Sequence, residues 1–330
     1  MVRTLLSFSL LLAASSGVAL AQTSVVEMEA VGETGPVDKT TQTEDVKFRD
    51  DSYQRMTVPV LLSGKGPYRF LVDTGADRTA ISREVAAKLN LDGAGDATLH
   101  SVTGSSRVAT ATIPSLQVTR KQLSVNNAPL LDSANMGADG ILGVDSLRSQ
   151  RVLFDFEGET ISIVPSSVAE VRSEPGAIVV QARRRKGHLI LTQAIANGRR
   201  VNVVIDTGSQ FTIGNAALRR QFVAAGQMKA SHPVELESVT GGKIMGDLVF
   251  IRKLEFGGVE IKDLAIVFAD SHAFRKLDLN DRPSLLLGIN AMRAFKRVSI
   301  DFANKKIRVV LPEQSSLDTR MALIAPIALP

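Results

Sequence analysis

Among its 330 residues the chain has no cysteine and no tryptophan, and its only tyrosines are Tyr53 and Tyr68. Without cysteine there is no disulfide framework, no thiolate metal site and no thiol nucleophile, so stability has to come from packing alone. Few large aromatic rings means no stacking platform for single strands, and a net charge of +5 over this length is a weak electrostatic footprint, so no nucleic-acid partner is expected. His100, His188, His232 and His272 are scattered, with no pair at helical or short-loop spacing, and neither a metal nor another cofactor is expected. There is no Gly-x-Ser-x-Gly elbow for a serine nucleophile, and beyond residue 21 no apolar run is long enough to span a bilayer as a helix. What remains is a globular composition, 44% hydrophobic and 22% charged, at a length that suits two domains.

The N-terminus has the layout of an export signal over residues 1–21. Arg3 supplies positive charge, Leu5 to Ala14 form a short apolar run, and Ala19-Leu20-Ala21 offers a small-x-small cleavage site. The expected location is therefore periplasmic or extracellular, or membrane-tethered if the signal is retained. Residues 22–52 hold eight acidic and three basic side chains, a charge of −5, against +9 for residues 53–330. Such a stretch reads either as a solvated linker or as a pro-segment lying across a basic body.

From Met56 onward the chain turns to short β-rich runs punctuated by glycine. Thr57 to Leu62, Tyr68 to Val72, Val152 to Phe156 and Thr160 to Val164 have strand character, and the best helical signals are Ser82 to Leu89 and Asn215 to Ala225. The second half restates the first in order. Phe70-Leu71-Val72-Asp73-Thr74-Gly75-Ala76 returns 133 residues later as Val203-Val204-Ile205-Asp206-Thr207-Gly208-Ser209. Ser101-Val102-Thr103-Gly104 returns as Ser238-Val239-Thr240-Gly241 at an offset of 137, and Gly140-Ile141-Leu142-Gly143 as Leu285-Leu286-Leu287-Gly288 at 145. Arg151 to Phe156 returns as Arg297 to Phe302 at 146. The drift in offset places the extra length of the second copy in loops between the repeated units.

Each copy thus has one acid at the end of an apolar strand, and a lone carboxylate there has no partner for acid–base work. Brought face to face, Asp73 and Asp206 cannot both ionise cheaply, so the pair holds one proton and offers a base beside an acid. The ionised member can take a proton from water while the other protonates a carbonyl oxygen. Gly75 and Gly208 allow close approach of backbone N–H groups, and Thr74 and Thr207 can hydrogen-bond across the pseudo-dyad. Ser209 can donate an outer hydrogen bond to Asp206 that Ala76 cannot donate to Asp73, which predicts Asp206 as the more readily ionised member. Val102-Thr103-Gly104 and Val239-Thr240-Gly241 are glycine-bearing turns suited to hairpin tips, and are read as candidate flaps or as ordinary surface hairpins.

At these residues the chain resembles the pepsin and retropepsin group of aspartic proteases, over roughly Met56 to Pro312. Asp73-Thr74-Gly75-Ala76-Asp77 is similar to the retroviral form, whereas Asp206-Thr207-Gly208-Ser209 and the single-chain duplication are similar to pepsin. The resemblance implies that Ile141-Leu142-Gly143 and Leu286-Leu287-Gly288 thread behind the catalytic loops as ψ-shaped turns. The chain departs from the family in having Val144 and Ile289 where retroviral enzymes carry arginine, which leaves Asp77 without that partner. It also lacks an evident flap tyrosine and any disulfide.

The expected fold is all-β, in two lobes related by pseudo-twofold symmetry: residues 53–165, a connection at 166–177, residues 178–312, and a tail at 313–330. The expected function is an aspartic endopeptidase acting on extended polypeptide as a monomeric pseudo-dimer. A catalytically silent peptide-binding protein on the same fold is the alternative, and a homodimer pairing lobes between chains is a third arrangement. The basic run Arg183-Arg184-Arg185-Lys186 reads as a solvated hairpin, with attraction to an anionic surface or a processing site as the alternatives. The apolar tail Met321 to Pro330 either closes an inter-lobe sheet or is disordered.

Overall fold

A computed structural model of the chain describes residues 45–47, 49–50, 55–118, 121–169, 176–228 and 231–312. The signal region and the apolar tail lie outside these residues.

The first repeat begins with edge strands β1 (Asp45–Lys47) and β2 (Arg49–Asp50), then β3 (Met56–Leu62), β4 (Lys65–Val72), β5 (Ala80–Ser82) and helix α1 (Arg83–Leu89). It continues through β6 (Gly93–Ser101), β7 (Gly104–Val118), β8 (Lys121–Leu131), α2 (Ser133–Met136), β9 (Gly140–Leu142), α3 (Val144–Leu147), β10 (Gln150–Asp155) and β11 (Thr160–Pro165). The second repeat holds β12 (Ala177–Gln181), β13 (Arg183–Arg185), β14 (His188–Ala196), β15 (Arg199–Ile205), β16 (Thr212–Gly214), α4 (Ala216–Ala224) and β17 (His232–Glu237). It closes with β18 (Lys243–Phe256), β19 (Val259–Phe268), α5 (His272–Lys276), β20 (Ser284–Leu287), α6 (Ile289–Met292), β21 (Arg297–Asp301) and β22 (Lys306–Val310). The expected strands are present with their ends shifted by a few residues at most, Phe156 falling just outside its strand, and the fold is the expected all-β one. Both expected helices form, and the first residue of each expected span is its N-cap: Ser82 Oγ accepts from Val85 N at 3.1 Å and Asn215 Oδ1 from Leu218 N at 3.0 Å.

Each lobe is an eight-stranded sheet, ordered β2-β3-β4-β9-β5-β8-β7-β6 in the first and β13-β14-β15-β20-β16-β19-β18-β17 in the second. Replacing every strand of one list by its repeat-mate yields the other, so duplication is preserved down to strand neighbours. A third sheet, β1-β11-β10-β21-β22-β12, joins the lobes. Its centre is antiparallel β10 against β21, where Arg151 faces Asp301 and Asp155 faces Arg297. Because these four residues are mutual repeat-mates, the pairing is isologous, the signature of a twofold axis. Arg297 Nε donates to Asp155 Oδ2 at 2.6 Å, while its mate Arg151 donates instead to the Val168 carbonyl at 3.0 Å. One apolar core runs through the lobes and the joining sheet, with Phe70, Phe154, Phe222 and Phe302 fully buried.

Two expectations need amendment. The described end of the acidic segment forms sheet edge, with β1 paired to β11 and β2 to β3. The Arg183–Lys186 run starts the expected hairpin with Arg183 and Arg184 exposed, and three of its four heads are also engaged. Arg184 donates to the Phe302 carbonyl, Arg185 Nε to the Leu277 carbonyl at 2.7 Å, and Lys186 Nζ to the Lys276 carbonyl at 2.8 Å. Carbonyls at the C-terminal end of α5 lack helical partners, which makes them natural acceptors for cations.

In each lobe the short strand carrying the apolar-Gly element runs parallel to the strand that ends in aspartate. Leu71 faces Ile141 and Val72 faces Leu142; Val204 faces Leu286 and Ile205 faces Leu287. Asp73 N and Asp206 N continue the ladders, donating to the Leu142 and Leu287 carbonyls at 3.0 Å each. The chain then passes so close to the next loop that a Cβ on Gly143 would lie 2.6 Å from the Arg78 carbonyl oxygen, and one on Gly288 would lie 2.5 Å from the Phe211 carbonyl carbon. Backbone cannot yield as a side chain can. Gly143→Ala and Gly288→Ala are each expected to destabilise the fold by about 3 kcal/mol, the upper end of overpacking costs. Urea unfolding checks this, and a loss below about 1 kcal/mol would contradict the packing argument.

Candidate active site

Asp73 and Asp206 stand at the ends of β4 and β15, and the structure brings them together. A Cβ on Gly75 would lie 2.6 Å from Asp206 Cγ, and one on Gly208 would overlap the Asp73 carboxylate. Each loop glycine therefore lies against the acid of the opposite repeat, a closeness that any larger residue would forbid.

Beneath the carboxylates the threonines lock the two loops reciprocally. Thr74 N donates to Thr207 Oγ1 at 3.0 Å and Thr207 N to Thr74 Oγ1 at 3.1 Å. Each hydroxyl then donates onward across the axis, Thr74 Oγ1 to the Ile205 carbonyl at 3.0 Å and Thr207 Oγ1 to the Val72 carbonyl at 2.5 Å. Both threonines are buried, so every donor and acceptor in this grid depends on the other lobe.

The two acids differ in their surroundings. Asp73 Oδ1 accepts from Gly75 N at 2.8 Å and Ala76 N at 3.0 Å, whereas Asp206 Oδ1 accepts from Gly208 N at 3.1 Å. Burial raises Asp73 above its ordinary 3.8, opposed by the Gly75 N–H, the Arg55 charge, the Ala76 N–H and the His188 charge. Burial, and then the charge of Asp73, push Asp206 up to about 7, against the His188 charge and the N–H groups of Gly208 and Ser209. With two N–H bonds to Asp73 Oδ1 against one to Asp206 Oδ1, the surroundings favour charge on Asp73 and the proton on Asp206, against the expectation from sequence. The reason is visible in Ser209: its hydroxyl donates to the Phe211 carbonyl at 2.7 Å, leaving Asp206 only backbone help.

Several site residues escaped the sequence reading. Asp77 takes a partner from the other lobe, His188, at 2.8 Å. Thr79 and Asp145 bond through Oγ1 to Oδ1 at 2.7 Å, and their repeat-mates Thr212 and Asn290 do the same at 2.9 Å. These threonine hydroxyls also accept from Gly143 N at 3.1 Å and Gly288 N at 3.2 Å, tying each ψ-shaped turn to its catalytic loop. Thr79 and Thr212 share the offset of Asp73 and Asp206, and Asp145 and Asn290 that of the apolar-Gly elements. A residue-by-residue extension of the repeat would have found them.

Val102, Thr103 and Gly104 form the β6–β7 tip, and Val239, Thr240 and Gly241 the β17–β18 tip. The tips meet. Four hydroxyls close a ring: Ser101 to Thr103 at 3.1 Å, Thr103 to Ser238 at 3.1 Å, Ser238 to Thr240 at 2.8 Å and Thr240 to Ser101 at 3.4 Å. Val102 packs against the second-lobe cluster that includes Ile190, Val204 and Ile213, while Val239 packs against the first-lobe cluster that includes Leu71, Ala80 and Ile141. Each tip thus seats on the opposite lobe. The first is held further by His272 N donating to the Val102 carbonyl at 2.9 Å and by a His100 Nδ1 to His272 Nε2 bond of 2.8 Å.

Comparison with known families agrees with this architecture. Residues 58–149 match the family described as gag-polyprotein putative aspartyl protease, and residues 192–291 match the family described as aspartyl protease. The two matches fall in tandem, one per lobe, and together cover 192 of the 330 residues. A search of curated proteins found no match. The fold is that of a two-lobe acid protease, and the chain belongs to the retropepsin-like aspartyl proteases in their single-chain form.

Thr74→Val and Thr207→Val each strip a hydroxyl from the grid and orphan a buried carbonyl and a buried N–H. At roughly 1–3 kcal/mol per orphaned group, each variant is expected to lose about 3 kcal/mol of stability. Denaturant unfolding with the wild type as reference checks this, and a change below about 0.5 kcal/mol would show that the grid does not hold the lobes.

Proposed function

We propose that the chain is an endopeptidase that hydrolyses extended polypeptide with a water activated between Asp73 and Asp206. A protease-type function already follows from the family; the finer reading is carried by one observation, the packing of each acid against the glycine of the opposite catalytic loop. A pair so placed, in low dielectric, carries one charge and one proton.

The division of labour follows from the surroundings of each acid. Asp73, ionised under two short N–H bonds, accepts a proton from water as the oxygen attacks the scissile carbonyl carbon. Asp206 gives its proton to the carbonyl oxygen, so the tetrahedral diol forms without net charge. In collapse the proton on Asp73 passes to the leaving nitrogen and Asp206 recovers one from the diol, which returns both acids to their starting states. No covalent intermediate forms. The paired hairpin tips support an extended substrate, because an extended segment can hydrogen-bond to hairpin backbone and leave alternate side chains to be read by pockets. Opening of the tips admits the chain and closure excludes water. The export signal read at residues 1–21 supports a location outside the cytoplasm, and the internal duplication supports a monomer.

Cleavage of an unfolded protein, followed from about pH 4 to pH 8, tests the reading. The rate should fall on the alkaline side near 7 as Asp206 loses its proton, and on the acid side as Asp73 gains one. Asp73→Asn and Asp206→Asn should each lower kcat at least about 100-fold. Retention of activity by either variant would separate the lobes into independent sites, and a folded but inert wild type would favour a peptide-binding role.

The tips generate a second expectation. Thr103→Ala with Ser238→Ala breaks the hydroxyl ring, and amide exchange at residues 101–104 and 238–242 should accelerate about tenfold while the sheets keep their protection. Unchanged exchange at both tips would mean that the ring does not hold them together.

A further inference from the structure

His188 opens β14 in the second lobe, yet its ring serves the first. Nδ1 lies 3.2 Å from the Thr74 carbonyl oxygen and Nε2 lies 2.8 Å from Asp77 Oδ1, and the residue is 4% exposed. The partners flank Gly75 and Ala76, so the ring straddles the loop that follows Asp73. Both partners are acceptors, whereas a neutral imidazole has a single N–H to donate. A neutral ring would turn one buried nitrogen lone pair toward an oxygen lone pair, an arrangement without compensation. The geometry therefore requires both ring nitrogens protonated and the ring charged.

The surrounding charges agree. Burial, the largest influence, opposes a charged ring, but the Asp77 hydrogen bond and charge and the Thr74 carbonyl outweigh it, so His188 stays protonated above the ordinary 6.5. The His188 hydrogen bond, first among its influences, holds Asp77 below 3.8; Lys276 and His100 act on Asp77 in the same sense. Both catalytic acids feel the ring's charge, and Arg55 adds to it at Asp73. Arg55 is the repeat-mate of His188 and stands just before β3 as His188 opens β14, but the repeat-mate of Asp77 is the uncharged Gln210. The ion pair is therefore built on one side of the pseudo-dyad only.

We propose that His188 is a positioning residue of the catalytic pair: its doubly bonded imidazolium clamps the first catalytic loop to the second lobe and, as a fixed cation beside both acids, sets the pH range in which they hold one proton. The proposal rests on the dyad reading above. The Asp77 contribution is complete above 3.8 and fades as pH falls through its lowered value. The His188 contribution is complete below 6.5 and fades as pH rises through its raised value. The clamp is thus intact across the acidic range in which the pair is singly protonated. Losing the cation raises the proton affinity of both acids and moves both limbs of the activity profile to higher pH.

Imidazole nitrogen-15 spectra of the wild-type chain give the first test. Both ring nitrogens of His188 should be protonated at pH 6, with a titration midpoint above 6.5; a neutral ring at pH 6 overturns the proposal. This readout needs no turnover, so an inert wild type would overturn the protease reading and leave the histidine result standing. In the active enzyme His188→Gln should lower kcat about tenfold with little change in KM and shift both limbs upward, while His188→Arg, which keeps the charge, should restore the wild-type limbs. Limbs unmoved in His188→Gln would reduce the residue to a structural strut. Should that variant not fold, Asp77→Asn decides the matter, because removing the partner must lower the His188 midpoint; an unmoved midpoint overturns the clamp.

Discussion

Each catalytic-loop glycine lies against the carboxylate of the other repeat, and the surrounding structure serves to hold that contact. The constraint is steric before it is electrostatic. With Gly75 at Asp206 and Gly208 at Asp73, neither loop tolerates a side chain, and neither acid has its full surroundings within its own lobe. The reciprocal threonine bonds sit directly below, so separating the lobes would orphan at least four buried backbone groups together with the two hydroxyls. The joining sheet repeats the same symmetry at larger scale, with Arg151, Asp155, Arg297 and Asp301 as mutual mates. One axis thus organises the acids, the threonine grid and the inter-lobe sheet.

Exact symmetry would give two equivalent acids and no fixed direction for proton transfer. Substitutions near the axis break the equivalence. Ala76 leaves its backbone N–H for Asp73, whereas Ser209 spends its hydroxyl on the Phe211 carbonyl. Asp77 recruits His188, and its counterpart Gln210 brings no charge. Each difference is small beside the cost of burying a second charge, yet together they favour the proton on Asp206 and the charge on Asp73. The fold supplies the pairing, and a few non-identical mates supply the polarity.

The recurrence of Asp-Thr-Gly with ordered downstream partners was enough to read the lobes, the acids, the glycines and the threonines from sequence, because those residues repeat with one offset and their chemistry is identical in both copies. The two helices after Ser82 and Asn215 were legible for a local reason, the helical spacing of their apolar residues. What escaped has a different character. His188 and Asp77 are 111 residues apart, and their mates Arg55 and Gln210 do not share their types, so neither spacing nor repetition marks them. The direction of the Ser209 hydroxyl is decided by competition between two acceptors in three dimensions. Arg183 to Lys186 looked solvated because a charge run carries no sign of carbonyls waiting at the end of a distant helix. The crossing of the hairpin tips, each onto the opposite lobe, depends on loop trajectories that glycine content does not encode.

The central claim is that Asp73 and Asp206 form one titrating unit with its proton on Asp206. Carboxyl carbon-13 spectra of the two side chains, followed against pH in the wild type and in Asp73→Asn, test it most directly. The account predicts that both carboxyls respond to both ionisation steps, that Asp206 releases its proton near 7, and that this value falls when the charge on Asp73 is removed. Two independent titrations near the ordinary 3.8, each indifferent to the other residue, would contradict it.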